Sequence, residues 1–267
     1  MGIIALMYHD VLDSDHETAS GFSGAAAASY KIPRRRFEEH LCAIEAALGT
    51  RRVGVLDAQA SPESSSQVLL TFDDGGISAL ETVAPLLARH GWLGHFFVTT
   101  DCIGLPGFLG LSDVRTLHDK GHVIGTHSCS HPARVGRLPM SVLIDEWRRS
   151  RDLLSQLIDA DVVVGSVPGA YYTSRVAEAA AVAGLQVLFN SEPTSVARRV
   201  GGCLVLGRYH LRHRSSARAA ANFASGHSAS RSRQAMAWQI RKALRTFGGP
   251  TYGTMTRLIH LAARQHP

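Results

Sequence analysis

The sequence predicts an α/β fold built on a parallel sheet, either open or closed into a barrel. Three observations predict it. Strand-like and helix-like segments alternate about seven times, the pattern of parallel strands joined by crossover helices. Polar residues gather where the strand-like segments end: His9-Asp10, Asp73-Asp74, Thr99-Thr100-Asp101, His127, Ser166 and Asn190-Ser191-Glu192. Parallel α/β folds build their sites at the carboxyl ends of their strands. Finally, the 267 residues are 45% apolar and 19% charged, enough to bury a core and too little charge for a disordered chain.

Residues 3–8 are an apolar first strand. Residues 13–29 are rich in Ala, Gly and Ser and read as a mobile loop. Pro33 opens a helix in which Phe37, Leu41, Ile44 and Leu48 recur at helical spacing. Residues 53–56 form a second short strand, and 59–67 a surface link. Val68-Leu69-Leu70-Thr71-Phe72 is a buried strand running into Asp73-Asp74-Gly75. Ser78 caps the next helix and Gly91 stops it. Residues 92–99 are a strand. Residues 101–111 are a loop with exposed Leu105, Phe108 and Leu109. Ser112 caps a helix that ends at Gly121, and a strand over 122–126 delivers His127. A helix over 139–158 carries Val142, Leu143, Trp147, Leu153, Leu154 and Leu157. Strands follow at 162–164, 186–189 and 204–206, with a helix from Thr173 or Ser174 to Gly184 between the first two. Basic helices come after the last strand. The whole reads as one domain over 1–267, with a core at about 3–210 and a basic extension over 211–267.

No apolar run reaches the ~18 residues of a membrane span, and the first residues lack the basic start of a signal peptide. The expectation is a cytoplasmic protein. Cys42, Cys102, Cys129 and Cys203 show no paired spacing and read as small buried hydrophobes. The net charge is +6, with Arg198, Arg199, Arg208, Arg212, Arg214, Arg218, Arg231, Arg233, Arg241, Lys242 and Arg245 crowded near the C-terminus. Such a face suits an anionic partner: a nucleotide- or lipid-linked sugar, an acidic glycan, or peripheral contact with a membrane. Sparse aromatics and no binding motif argue against nucleic acid. Residues 252–263 read as a docking helix. Oligomeric state is not legible.

Two stretches carry the chemistry. Where a strand ends and the backbone turns, neighbouring Asp73 and Asp74 can converge on one pocket, and they repel unless a cation sits beside them. His127 and His131 lie four apart in Gly125-Thr126-His127-Ser128-Cys129-Ser130-His131-Pro132. Pro132 disfavours helix at His131, so a tight turn brings the imidazoles together. Two His and one carboxylate with open positions are the ligands of a hydrolytic zinc site, though iron, cobalt or manganese also suit them.

Thr71-Phe72-Asp73-Asp74-Gly75 together with His127-Ser128-x-x-His131 resembles the polysaccharide deacetylase family, also called the chitooligosaccharide deacetylase homology domain. The resemblance spans roughly residues 3–210. It implies a distorted (β/α) barrel of seven strands and metal-dependent removal of acetyl groups from N-acetylated sugars. It makes Asp73 the general base and Asp74, His127 and His131 the ligands of a divalent metal, with Zn2+ the first choice. The family's third motif, Arg-x-Pro-Tyr, is Ser166-Val167-Pro168-Gly169 here, so the Arg that orients the base is missing and Arg208 is the candidate replacement. Gly169 can still offer a backbone N–H, and Tyr171 or Tyr172 can cover the pocket. His9, Pro168, Gly169 and Tyr171 are the candidate substrate contacts. The fifth motif, Leu-x-His, is replaced by Leu206-Gly207-Arg208, leaving His210 as the candidate general acid.

Overall fold

The computed structural model describes residues 2–13, 20–56 and 67–247. In chain order it places β1 (Ile4–Tyr8), β2 (Val11–Leu12), α1 (Ala25–Ala28), β3 (Ile32–Pro33), α2 (Arg34–Ala47), β4 (Arg52–Gly54) and β5 (Gln67–Phe72). A π-type segment, Ala79–Val83, runs into α3 (Ala84–Arg89), followed by β6 (His95–Val98), α4 (Leu111–Asp119), β7 (Val123–Thr126), α5 (Met140–Ile158) and β8 (Val164–Ser166). Then come α6 (Ser174–Val182), β9 (Val187–Phe189), β10 (Arg198–Val200), β11 (Cys203–Leu206), β12 (Arg208–His210), α7 (Ala217–Ala224) and α8 (Ser228–Phe247).

The hydrogen-bonded order is β11-β9-β8-β7-β6-β5-β1-β12, parallel throughout. β11 and β12 are one stretch of chain interrupted at Gly207, so the two ends of the sheet meet and close a barrel. Counting that split stretch once, the barrel has the expected seven strands, distorted at the break. A Cβ at Gly207 would lie 2.3 Å from the carbonyl oxygen of Glu192, which is why the closing kink requires glycine. β4 pairs β5 outside the barrel, and β10 runs antiparallel to β11.

Side chains alternate across each strand. Ile4, Leu6, Tyr8, Val68, Leu70 and Phe72 face outward and pack with α2, α3, α4 and α7. Ala5, Leu69, Phe97, Val187 and Phe189 fill the interior. Leu69, Thr71 and Asp73 share that inner face, as do Arg208 and His210, which register against Ala5 and Met7. The barrel is therefore apolar below and polar at the mouth formed by the strands' carboxyl ends. Burial of each large apolar side chain contributes roughly 1.5–3 kcal/mol.

Several local expectations change. The stretch read as loop over 13–29 contains α1, and Ser20 and Gly21 are buried; residues 14–19 lie outside the described ones. Ser78 does not cap its helix, because its hydroxyl is bonded to Asp10 instead. Gly110, not Ser112, precedes α4, and the Asp113 carboxylate accepts the Gly110 N–H. Leu109 is fully buried, drawn in by its N–H bond to Gly75 O, and Phe108 is half-buried against Phe22. Val142 and Leu153 of α5 are exposed, since the helix buries only the stripe through Leu143, Trp147 and Leu154. β10 and β12 were not read from the sequence; each has three residues, too short for a period to show. Most of the surface link, and the docking helix over 252–263, fall outside the described residues. Within 211–247, α7 supplies Ala220, Phe223 and Ala224 to the core shared with β1. No described helix is long and apolar enough to cross a membrane.

Candidate active site

Asp73 still belongs to the strand: its N–H donates to Tyr8 O at 3.1 Å. Asp74 turns sharply, with φ 78, and Gly75 follows at φ 84. This left-handed step after an extended residue brings two adjacent carboxylates to one side of the barrel mouth. Left-handed geometry disfavours a residue with a Cβ, and Asp is among the few that tolerate it.

The turn after β7 is held with equal firmness. His127 N donates to Val98 O, and Ser128 and His131 take φ of 68 and 52. Glu146 of α5 accepts the backbone N–H groups of Cys129 and Ser130, each at 3.0 Å, and the Ser130 hydroxyl at 2.7 Å. The Ser128 hydroxyl accepts His131 N–H. These bonds satisfy the turn's donors and aim both imidazoles at Asp74.

The donor set fits a divalent cation. One ligand atom from each of Asp74, His127 and His131 lies within 4.8 Å of the others. Nε2 of His127 and of His131 stand 3.4 and 3.5 Å from Asp74 Oδ1. Two donors bound at ~2.0–2.2 Å to a tetrahedral ion are themselves about 3.3–3.5 Å apart. His127 Nδ1 donates to Ser166 O at 2.9 Å, which fixes the tautomer and leaves Nε2 for a metal. Burial and the neighbouring His127 push His131 down to about 4, so its imidazole is neutral near pH 7. Burial alone would lower His127 too, but the Asp73 and Asp74 carboxylates outweigh it and raise its pKa. Cys129 is buried and is not among these donors.

Asp73 has a different partner. Arg208 is fully buried and donates from Nη1 to Asp73 Oδ1 and from Nη2 to Oδ2, both at 2.7 Å. The same guanidinium donates to Ser166 Oγ at 2.7 Å, Asn190 O at 3.1 Å and Thr71 Oγ1 at 3.2 Å. Burial by itself would raise the Asp73 pKa; Arg208 and His127 overcome it and hold the carboxyl well below its usual range. Arg208 is thus no part of a basic surface, since its charge lies inside the barrel under the base.

Asp73, Asp74, His127 and His131 open into a cavity of about 650 Å3, also lined by His9, Gly169, Tyr171 and His210. Pro168 and Tyr172 do not line it. His210 Nε2 donates to Ser191 O at 2.7 Å, and burial with the nearby Arg212 pushes its pKa to about 3. His9 packs 4.6 Å from the Tyr30 ring, and its Nδ1 is buried without a hydrogen-bond partner among the described residues. Asp10 also faces the cavity. Its Oδ1 accepts the hydroxyls of Ser20 and Ser78, while burial raises its pKa. A Cβ at Gly76 would lie 1.9 Å from that oxygen, so glycine is required beside it.

Sequence reasoning missed Glu146, Lys31, Arg212 and Trp238. Glu146 sits mid-helix with no local signal. Arg212 read as surface charge, yet it lines the cavity, as do Lys31 and Trp238.

Residues 60–188 match the family model described as polysaccharide deacetylase. "Putative polysaccharide deacetylase YxkH" of Bacillus subtilis (strain 168) is 23% identical over 200 residues, covering 73% of this chain and 67% of that protein. The Streptococcus pyogenes deacetylase PplD, solved in complex with acetate, superposes with a TM-score of 0.67 at 19% identity over 82% of this chain and 96% of that one. A de-N-acetylase from Aggregatibacter actinomycetemcomitans superposes at 0.68 and 17% identity over 84% and 100%. The paired carboxylates and paired histidines of the cavity fall inside the segment, residues 60–188, that matches the polysaccharide deacetylase family model.

Proposed function

We propose that the protein is a metal-dependent hydrolase, with Zn2+ as the first candidate, that removes the acetyl group of an N-acetylated sugar. One observation carries the reading: an Asp-His-His donor set and a separately clamped carboxylate share one cavity. A divalent cation there supplies Lewis acidity toward the acetyl carbonyl and acidifies water. Asp74, His127 and His131 hold it. Asp73, kept ionised by Arg208, takes the proton of the attacking water. The Gly169 N–H supports the developing oxyanion. The proton that Asp73 takes from the water passes on to the departing amine, and His210, a neutral ring with its Nε2–H on Ser191 O, lines the cavity beside it. His9 and Tyr171 flank the sugar.

The missing motif Arg favours a metal-binding but silent glycan module. Arg208, gripping both oxygens of Asp73, supports the catalytic reading instead. Acetate release from N-acetylhexosamine oligosaccharides with added Zn2+ tests it, and O-acetyl substrates run in parallel test the ester alternative. Asp73→Asn should lose about 10²–10⁴ in turnover while keeping bound metal, whereas Asp74→Asn should lose the metal. Purified protein that binds no divalent ion, or full turnover in Asp73→Asn, would overturn the proposal.

A further inference from the structure

The cavity and its floor hold three permanent cations, and two of them answer carboxylates. Arg208 is bound to Asp73. Lys31 donates to Ser20 O and acts on the neighbouring Asp10. Arg212 lines the same cavity and has no carboxylate partner among the described residues. It is nevertheless held in place. Its guanidinium lies 4.6 Å over the Tyr30 ring, and Nη2 donates to the Tyr30 hydroxyl at 3.2 Å. Tyr30 is itself packed on His9. The backbone N–H of Arg212 donates to Ser215 Oγ.

A stacked guanidinium has already lost much of its rotamer freedom, so it binds a planar or tetrahedral anion at little further entropic cost. Leaving it half-buried without a counter-charge is unfavourable unless a ligand supplies one. The volume, about 650 Å3, lies in the range of pockets that take whole drug-sized ligands (~300–1,000 Å3). There is space for a substituent beyond the acetamide. Trp238 of α8 lines the same cavity and offers an aromatic wall for a sugar face.

We infer that Arg212 is a specificity residue that recognises an anionic group, a phosphate or a carboxylate, carried by the N-acetylated substrate. The inference rests on the deacetylase reading for its substrate. The phosphate would come from a sugar 1-phosphate or its diphosphate conjugates, and the carboxylate from a uronic acid next to the acetylated sugar.

The test compares three substrates: a neutral methyl N-acetylglucosaminide, N-acetylglucosamine 1-phosphate, and a disaccharide of an N-acetylhexosamine with a uronate. The wild type should prefer one anionic substrate by about tenfold or more in kcat/KM, the scale of a charge-assisted hydrogen-bonded pair. Which one it prefers names the source of the charge. Arg212→Gln should bring the anionic-to-neutral ratio to about one, chiefly through KM, and Arg212→Lys should restore part of it. Binding of N-acetylglucosamine 1-phosphate and of the uronate disaccharide, by calorimetry on Asp73→Asn with and without Arg212→Gln, gives a readout independent of turnover. If no substrate releases acetate, the deacetylase reading fails while the calorimetric difference still decides the anion site. No preference in the wild type, or equal losses for neutral and anionic substrates in Arg212→Gln with no change in binding, overturns the inference.

Discussion

At the scale of single residues, the Asp73–Arg208 pair decides the chemistry. Two hydrogen bonds of 2.7 Å join a planar guanidinium to both carboxylate oxygens inside the barrel. Lys is a point charge and cannot span both. Arg208→Lys should therefore fold and bind metal but lose roughly 100-fold in acetate release, by leaving the base free to rotate. Arg208→Met should fare worse in stability, because it strands a buried carboxylate; the loss should be about 3–5 kcal/mol, read as a lower urea midpoint. Unchanged stability in Arg208→Met would mean that the pair is solvated. Asp73, Asp74, His127 and His131 were legible because each pair is close in sequence. Arg208 was legible only as a candidate, from the gap that Ser166 leaves. The structure shows how the two are linked: the Ser166 hydroxyl accepts from the same guanidinium, which reaches across the barrel from the closing strand.

At the scale of elements, the turn over 127–131 depends on a helix more than on itself. It contains two left-handed residues that are not glycine, each costing of order 1–3 kcal/mol. Glu146 offsets that cost by accepting two backbone N–H groups and one hydroxyl. Glu146→Gln keeps the shape but replaces one acceptor oxygen with a donor. Metal affinity should fall about 10- to 100-fold, the usual effect of losing a support behind the ligands. Titration with Zn2+ against a competing chelator measures it, and wild-type affinity would show that the turn holds without α5. Nothing in the sequence near Glu146 marked it, since α5 was read only for its apolar stripe. The caps failed for the same reason. Ser78 looked like a helix cap by position, but the buried Asp10 carboxylate is a stronger partner than a helix end.

For the whole molecule, alternation along the chain was enough to read parallel strands, but not to read their closure. Closure depends on Gly207, where one stretch pairs β9 with its first half and β1 with its second. Closing the barrel buries His95 completely, 5.9 Å from the Phe189 ring and with no carboxylate partner among the described residues. Its Nδ1 donates to Leu70 O and its Nε2 accepts Leu56 N–H, so the fold requires the neutral ring. His122 likewise accepts Gly94 N–H through Nδ1. Burial pushes both down to about 4, against about 6.5 in the unfolded chain. Between those values the unfolded state binds more protons than the native state, so stability rises with pH there. The contribution of His95 and His122 to the unfolding free energy should be flat above about pH 7 and fall as the pH drops toward 4. His95→Gln removes one such group and can still accept from Leu56. Urea titrations at half-unit pH steps should then show an acid slope smaller by up to about 1.4 kcal/mol per pH unit. An unchanged slope would mean that His95 is protonated in the native barrel, which the Leu56 bond forbids.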